Sequence, residues 1–370
     1  MRLASYNVEN LFNRAKALDG DTWAEGKPIL DAFGKLMTLL GEHVYTTAIK
    51  KQMVDLLVAL GLEKADSNAF VILRQNRGDF VKRPTAGGIE VVANGRADWV
   101  GSLELVVVPV NEEAMRNTAR VMIELEPDVL AVVEAESRPA LAAFNSDIVG
   151  SLGGPTFAHV MLIDGNDTRG IDVGLMTKAP VTIESMKSHV DDADAGGGLI
   201  FSRDCPEFRL KLPSGKRLVV LVNHLKSKGF GTQASSDARR KLQATRVKEI
   251  YEALRATGEK HVAVIGDFND TPDSPALASL LTTTDLKDAF THTLFNDGGF
   301  PGTFGSCTKS NKIDYLLLSP ELFAKVVKGG VFRKALWPGV RPKKWEVFDQ
   351  LEQPVQAGSD HAAVWVDLKL

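Results

Sequence analysis

The chain has 370 residues, with 44 Lys plus Arg against 47 Asp plus Glu and a formal net charge of −3. That length suits about two domains, or one large domain with an insertion, and an apolar share of 44% supports a packed core without staples. The charge balance excludes a polybasic protein that holds nucleic acid by bulk charge, and two cysteines, Cys205 and Cys307, exclude a disulfide framework or a four-thiolate metal site.

The start, Met1 to Asn7, lacks the apolar core of a signal peptide. The longest apolar runs, 106–108 and 218–222, are too short to span a bilayer. A cytoplasmic protein with reduced thiols and no stable membrane association is the expectation. A first short strand runs into Ser5-Tyr6-Asn7-Val8-Glu9-Asn10. The stretch 14–116 differs from the rest, because none of its apolar runs ends in reactive residues. It holds an amphipathic helix at 49–60 and strand-like runs at 70–73, 89–93 and 103–108. Over 71–96 five cations (Arg74, Arg77, Lys82, Arg83, Arg96) exceed two carboxylates (Asp79, Glu90). This basic hairpin reads as an ordinary solvated loop or as an arm that faces phosphates.

From 117 onward, β-branched runs at 129–133, 173–176, 218–222, 262–265, 313–318 and 362–366 read as buried strands. Helical patterns alternate with them, most clearly at 236–256, with Ser235 or Ser236 as N-cap and Gly258 as the stop. The acidic, glycine-rich run 191–198 lacks EF-hand spacing and reads as a mobile loop. Strands mixed with helices indicate a layered α/β or α+β fold.

Six polar clusters stand at the ends of apolar runs, where a sheet presents them at one rim. They are the segment after Ser5, Glu134-Ala135-Glu136, Asn223-His224-Leu225-Lys226, Gly266-Asp267-Phe268-Asn269, Lys312-Ile313-Asp314-Tyr315 and Ser359-Asp360-His361. A carboxylate at the end of a buried strand is costly unless it meets a cation or a partner. Oxygen ligands with few histidines suit Mg²⁺, Mn²⁺ or Ca²⁺. Histidine beside carboxylate suits proton transfer. A hard metal with histidines and lysine is the set that phosphoester hydrolysis requires. No P-loop and no G-x-S-x-G elbow is present, which disfavours an NTPase of that class and a serine hydrolase.

In this order the six clusters resemble the endonuclease/exonuclease/phosphatase (DNase I-like) family. The resemblance covers 1–13 and 117–370, so 14–116 reads as an insertion between the first strand and the first core helix of a single catalytic domain. It implies a four-layer αββα sandwich of two mixed sheets with outer helices. It implies metal ligation by Asn7, Glu134 and Asp360, with one or two Mg²⁺ ions, Mn²⁺ and Ca²⁺ being the alternatives. It further implies catalytic roles for His224, Asp267, Asn269, Asp314 and His361: Asp314 orients His361, Asp267 or His361 is the base, Asn269 binds the scissile phosphate, and His224 stabilises the phosphate or protonates the leaving oxygen. On weaker grounds, Asp172 is expected to pair with His224, and Arg203 and Lys226 to bind phosphate. Arg203 paired with Asp204 is the structural alternative. The expected activity is a metal-dependent phosphodiesterase, foremost a nuclease acting on nucleic acid. The alternatives are a phosphodiesterase or phosphatase for small or lipid phosphoesters, and a degenerate binding module.

Overall fold

The computed structural model describes residues 1–18, 23–167, 170–228, 232–340 and 343–370. The described chain divides into two compact units, one of Met1–Phe12, Val110–Lys228 and Gln233–Leu370, the other chiefly Asn13–Pro109.

The larger unit is built on two sheets. The seven strands of the first lie in the order Phe295–Asn296, Val326–Phe332, Ala363–Leu368, Arg2–Asn7, Val129–Ala135, Asp172–Thr177, His159–Leu162. The second runs Thr182–Lys187, Glu207–Lys211, Arg217–His224, Val262–Asp267, Asp314–Leu318, Lys287–Asp288. Each is mixed: Arg2–Asn7 pairs parallel with Val129–Ala135, and Arg217–His224 pairs parallel with Val262–Asp267.

The strands read as continuous apolar runs because both of their faces are covered. Alternate residues serve opposite faces. Leu3, Val129, Ala131 and Val133 of the first sheet share one core with Val220, Val222, Ala263 and Ile265 of the second. Leu130 and Val132 point the other way, onto Val121, Met122 and Leu125 of the helix Glu112–Leu125. Leu221 and Val264 likewise meet Val247, Tyr251 and Leu254 of the helix Gln233–Ala256. The result is two sheets packed face to face with helices on both outer faces. Burial of these faces is the main stabilising term, at roughly 25 cal/mol per Å² of apolar surface.

Local signals set the helix ends. Asn111 caps Glu112–Leu125 by accepting from Glu113 and Ala114 N–H at 2.9 and 3.2 Å. That helix belongs to the larger unit, so residues 110–116 lie with the core and not with the insertion. The helix Gln233–Ala256 starts before either serine expected as its cap, and Ser236 is fully buried inside it. Gly258 (φ 91) closes it as expected.

The smaller unit has its own core, with Phe33, Leu36, Met53, Leu57, Phe80 and Trp99 at its centre. Its helices are Trp23–Leu40 and Thr47–Ala59, the second capped by Thr46. The expected basic hairpin does not form. Val71–Arg77 pairs with Val100–Leu105, while Val81–Lys82 and Glu90–Val91 make a separate ribbon. Its cations are largely committed: Arg74 to Glu104 at 2.8 Å, Arg83 to Asp66 at 2.8 Å, Lys82 to Asp79 at 3.5 Å, and Arg96 to the Trp99 and Gly101 carbonyls. These contacts favour the solvated-loop reading over a phosphate-facing arm. No helix among the described residues is long and apolar enough to cross a membrane.

One glycine is indispensable to the second sheet. Gly266 has φ +129, and a Cβ there would lie 2.0 Å from the Asn223 carbonyl oxygen. Gly266→Ala should therefore cost at least about 2 kcal/mol of stability by urea titration. An unchanged midpoint would contradict the close approach of these two strands.

Candidate active site

Sheet register alone brings much of the site together. In the second sheet His224 sits opposite Asp267, and Asp267 opposite Asp314, giving a row of three across adjacent strand ends. In the first sheet Asn7 sits opposite Val133, one residue before Glu134. His361 precedes the strand Ala363–Leu368, which pairs with the strand carrying Asn7. The reactive residues therefore gather at one end of the two packed sheets.

Asp267 is the centre. Its Oδ2 accepts from Asn7 Nδ2 and Asn269 Nδ2, both at 3.2 Å. The same oxygen lies 3.7 Å from His224 Nε2 and 3.8 Å from His361 Nε2. Its Oδ1 accepts the Asn269 backbone N–H at 2.8 Å. His224 Nε2 also lies 3.4 Å from Glu134 Oε1. His361 Nδ1 donates to Asp314 Oδ2 at 2.9 Å, leaving Nε2 to face Asp267, and Asp360 Oδ1 at 3.7 Å. The terminal motif is tied to the first strand: Ser359 Oγ donates to the Asn7 carbonyl at 2.7 Å and accepts from His361 N–H at 2.9 Å. Glu9 Oε2 accepts from Asp360 N–H at 2.9 Å.

Backbone strain marks the same place. Glu9, Asn10, Glu134 and Asn269 all take positive φ, between 49° and 67°. Non-glycine residues rarely do so, and such conformations persist where surrounding structure imposes them.

Burial and crowding set the protonation states. Burial pushes the Asp267 carboxyl up to about 7; His361 opposes this, and Asp314 and Glu134 add to it. For His361, burial alone would depress the imidazole. Asp314, Asp360 and Asp267 outweigh it and hold the ring well above its ordinary range.

The donor set fits a hard divalent cation. Glu134, His224 and Asp267 bring three ligand atoms within 4.8 Å of one another, and so do Asp267, Asp314 and His361. Among the described residues, the ion-pair partners of Glu134 and Asp267 are the two imidazoles alone. Oxygen-rich ligands with one or two histidines suit Mg²⁺ or Mn²⁺ better than a softer ion.

Asp172, Arg203 and Lys226, named on weaker grounds, have these partners. Asp172 accepts from Gly165 N–H at 2.8 Å, and among the described residues' hydrogen bonds none joins it to His224. Burial pushes its carboxyl up to about 6. Arg203 is 2% exposed and pairs with Asp167 at 2.8 Å, not with Asp204. Asp204 instead accepts from Ser188 Oγ and His189 N–H. Lys226 is half-buried, with its N–H donating to Gln243 Oε1 at 2.8 Å. The run 191–198 forms a turn in which Asp194 Oδ1 accepts from Gly196 and Gly198 N–H.

Two supporting residues escaped the sequence reading. Thr303 is fully buried, donates to Asp314 Oδ2 at 2.6 Å and accepts the Asp314 N–H at 3.1 Å. Arg240 is fully buried in the helix Gln233–Ala256. It bonds Asp270 Oδ2 at 2.9 Å and the Lys226 carbonyl, joining the loops after His224 and Asp267. A buried arginine at a helical position was the only available signal, and burial is not visible in one sequence.

Raised pKa values on Asp267 and His361 mean that the folded, metal-free protein holds protons the unfolded chain releases. The Asp267 share of that stability is fully present below the ordinary carboxylate value and is lost as pH rises through about 7, while the His361 share is lost only above the ordinary imidazole range. In chelator, the melting temperature should fall between pH 5 and pH 8, and Asp267→Asn should flatten that fall. A profile identical to that of the parent would contradict the burial of Asp267 as an acid.

The Endonuclease/Exonuclease/phosphatase family is matched over residues 110–361, more than half of the chain. Similar solved structures include the mannosyl-6-phosphatase Bt3783 of Bacteroides thetaiotaomicron (17% identity, 70% of this chain and 92% of that one, TM-score 0.49). The human Nocturnin catalytic domain is similar at 16% identity over 70% of this chain and 87% of that one, with TM-score 0.47. TDP2 from C. elegans is similar at 17% identity over 68% of each chain, with TM-score 0.46. No curated protein sequence gives a significant match. The chain belongs to the endonuclease/exonuclease/phosphatase family of hydrolytic phosphoesterases.

Proposed function

We propose that the protein is a divalent-metal-dependent phosphodiesterase that cleaves nucleic-acid phosphodiesters by in-line attack of water. The observation that carries this reading is Asp267 Oδ2, placed between two amide donors and two imidazole Nε2 atoms beside the Glu134 carboxylate.

Glu134, Asn7 and Asp360 would hold the ion, with Asp267 close enough to Glu134 to join them. A bound Mg²⁺ or Mn²⁺ supplies charge neutralisation at the phosphate and makes water a better nucleophile at neutral pH. The chain's own groups do the rest. Asn269 is pinned by its bond to the Leu225 carbonyl at 3.1 Å and offers its amide to a phosphate oxygen. His361 keeps its proton at neutral pH because three carboxylates surround it. It therefore acts as a donor to the phosphate, oriented by Asp314. The base is then Asp267, the carboxylate at the centre of these donors. His224, flanked by Glu134 and Asp267, is placed to protonate the leaving oxygen. Lys226 follows Leu225, whose carbonyl Asn269 binds, and is the cation offered to the phosphate. Arg203 donates to the Leu225 carbonyl at 3.5 Å and Asp172 accepts from Gly165 N–H at 2.8 Å, so each holds a loop in place.

The test is a panel of single- and double-stranded DNA, RNA, bis(p-nitrophenyl) phosphate and phosphomonoesters with Mg²⁺ or Mn²⁺. Diester hydrolysis should stop with EDTA and with Glu134→Ala. Asp267→Ala and His361→Ala should each lower the rate by at least roughly 10²-fold. Activity indifferent to EDTA and to Glu134→Ala would overturn the proposal, and a preference for monoesters would move it to a phosphatase.

A further inference from the structure

Two segments beside the site carry an unusual charge distribution. Residues 300–313 and 333–345 together hold seven lysines and arginines and no carboxylate, in a chain with net charge −3. The two segments are bound to each other. The Arg333 guanidinium donates to the Phe300 carbonyl at 2.5 Å and the Gly302 carbonyl at 2.9 Å. Phe300 and Trp345 pack edge to face at 5.3 Å. Lys344 Nζ reaches the Ser306 carbonyl at 3.5 Å.

They are also bound to the site. Gly305 N–H donates to the Asp360 carbonyl at 2.8 Å, and Ala362 N–H donates to the Thr303 carbonyl at 2.7 Å. Ser306 follows Gly305 directly. With consecutive Cα atoms 3.8 Å apart, the Lys344 ammonium lies on the order of 10 Å from Asp360.

Three of these cations are committed within the fold. Lys312 is buried and pairs with Asp288 at 2.9 Å, Lys334 pairs with Glu124 and Glu346, and Arg333 serves backbone carbonyls. Arg341 lies outside the described residues. Lys309, Lys343 and Lys344 are exposed, and none has a carboxylate within ion-pair distance among the described residues. Asp273, which feels the charge of Lys309, accepts instead from Thr271 Oγ1 at 2.6 Å. The turn bearing Lys309 is fixed: Asn311 Oδ1 accepts from Thr308 Oγ1 and Ser306 Oγ.

Uncompensated cations held on bonded loops at the lip of a phosphoester site form a track for the further phosphates of a polyanionic strand. A small phosphodiester would not reach them. We infer that Lys309, Lys343 and Lys344 form a basic rim that binds the phosphates of a polynucleotide strand flanking the scissile bond. This rests on the phosphodiesterase reading above and narrows its substrate class to a polymer.

The experiment compares the full chain with a Lys309→Glu/Lys343→Glu/Lys344→Glu variant. Binding of fluorescein-labelled 12-nucleotide DNA and RNA is followed by anisotropy in EDTA over a salt series. Turnover of bis(p-nitrophenyl) phosphate with Mn²⁺ is measured in parallel. The variant should bind the oligonucleotides at least about tenfold more weakly at 0.1 M salt, and the slope of log Kd against log salt should shrink by about 2 for three lost contacts. Turnover of bis(p-nitrophenyl) phosphate should stay within twofold. Unchanged oligonucleotide affinity and salt slope would overturn the rim, as would an equal loss on bis(p-nitrophenyl) phosphate. If the parent hydrolyses no phosphoester while the variant still loses oligonucleotide affinity, the rim stands and the catalytic reading falls.

Discussion

Burial of one carboxylate, Asp267, at the place where two sheets end together is the constraint around which this site is organised. An ionised carboxylate in such a position is expensive unless it is paired or hydrogen-bonded. Here the compensation comes from groups on four separate segments: Asn7, His224, Asn269 and His361. Each must arrive within hydrogen-bonding or ion-pairing range for the fold to tolerate the charge. Burial above all, with an excess of acid from Asp314 and Glu134 adding to it, makes Asp267 hold its proton until near neutrality. A divalent cation beside Glu134 would offset that excess. Stability without the ion and chemistry with it are two consequences of one arrangement.

The architecture explains how such distant residues meet. The two parallel pairs, one in each sheet, set strand ends side by side. Register then fixes neighbours, so that His224, Asp267 and Asp314 need no loop to find one another. The strained backbone at Glu134 and Asn269 aims side chains that a regular strand would point elsewhere. Outer helices contribute beneath the site through Arg240, a buried cation that anchors the loops on both sides of the row.

Much of this was legible in the sequence for a physical reason. Buried strands must be apolar along their length, so the polar residues that end them, from Asn7 to His361, stand out and mark the rim. Family order then supplied the roles expected of them. Thr303 was not legible, because its value lies wholly in a partner eleven residues away whose carboxylate it shares with His361. The basic run around Arg74 and Arg83 misled in the other direction. Composition shows an excess of cations but not that Glu104 and Asp66 already face them. The rim of Lys309, Lys343 and Lys344 went unnoticed for a related reason. Its members are scattered over 36 residues and become one surface only when Arg333 and Trp345 draw the two loops together.

The central claim is that the acid cluster around Asp267 and Glu134 is a divalent-cation site. Isothermal titration calorimetry of Mn²⁺ into the chelator-stripped full chain tests it most directly. The account predicts saturable binding that is lost in Glu134→Ala and weakened in Asp267→Asn. Absence of binding in the parent, or binding unchanged by Glu134→Ala, would contradict it.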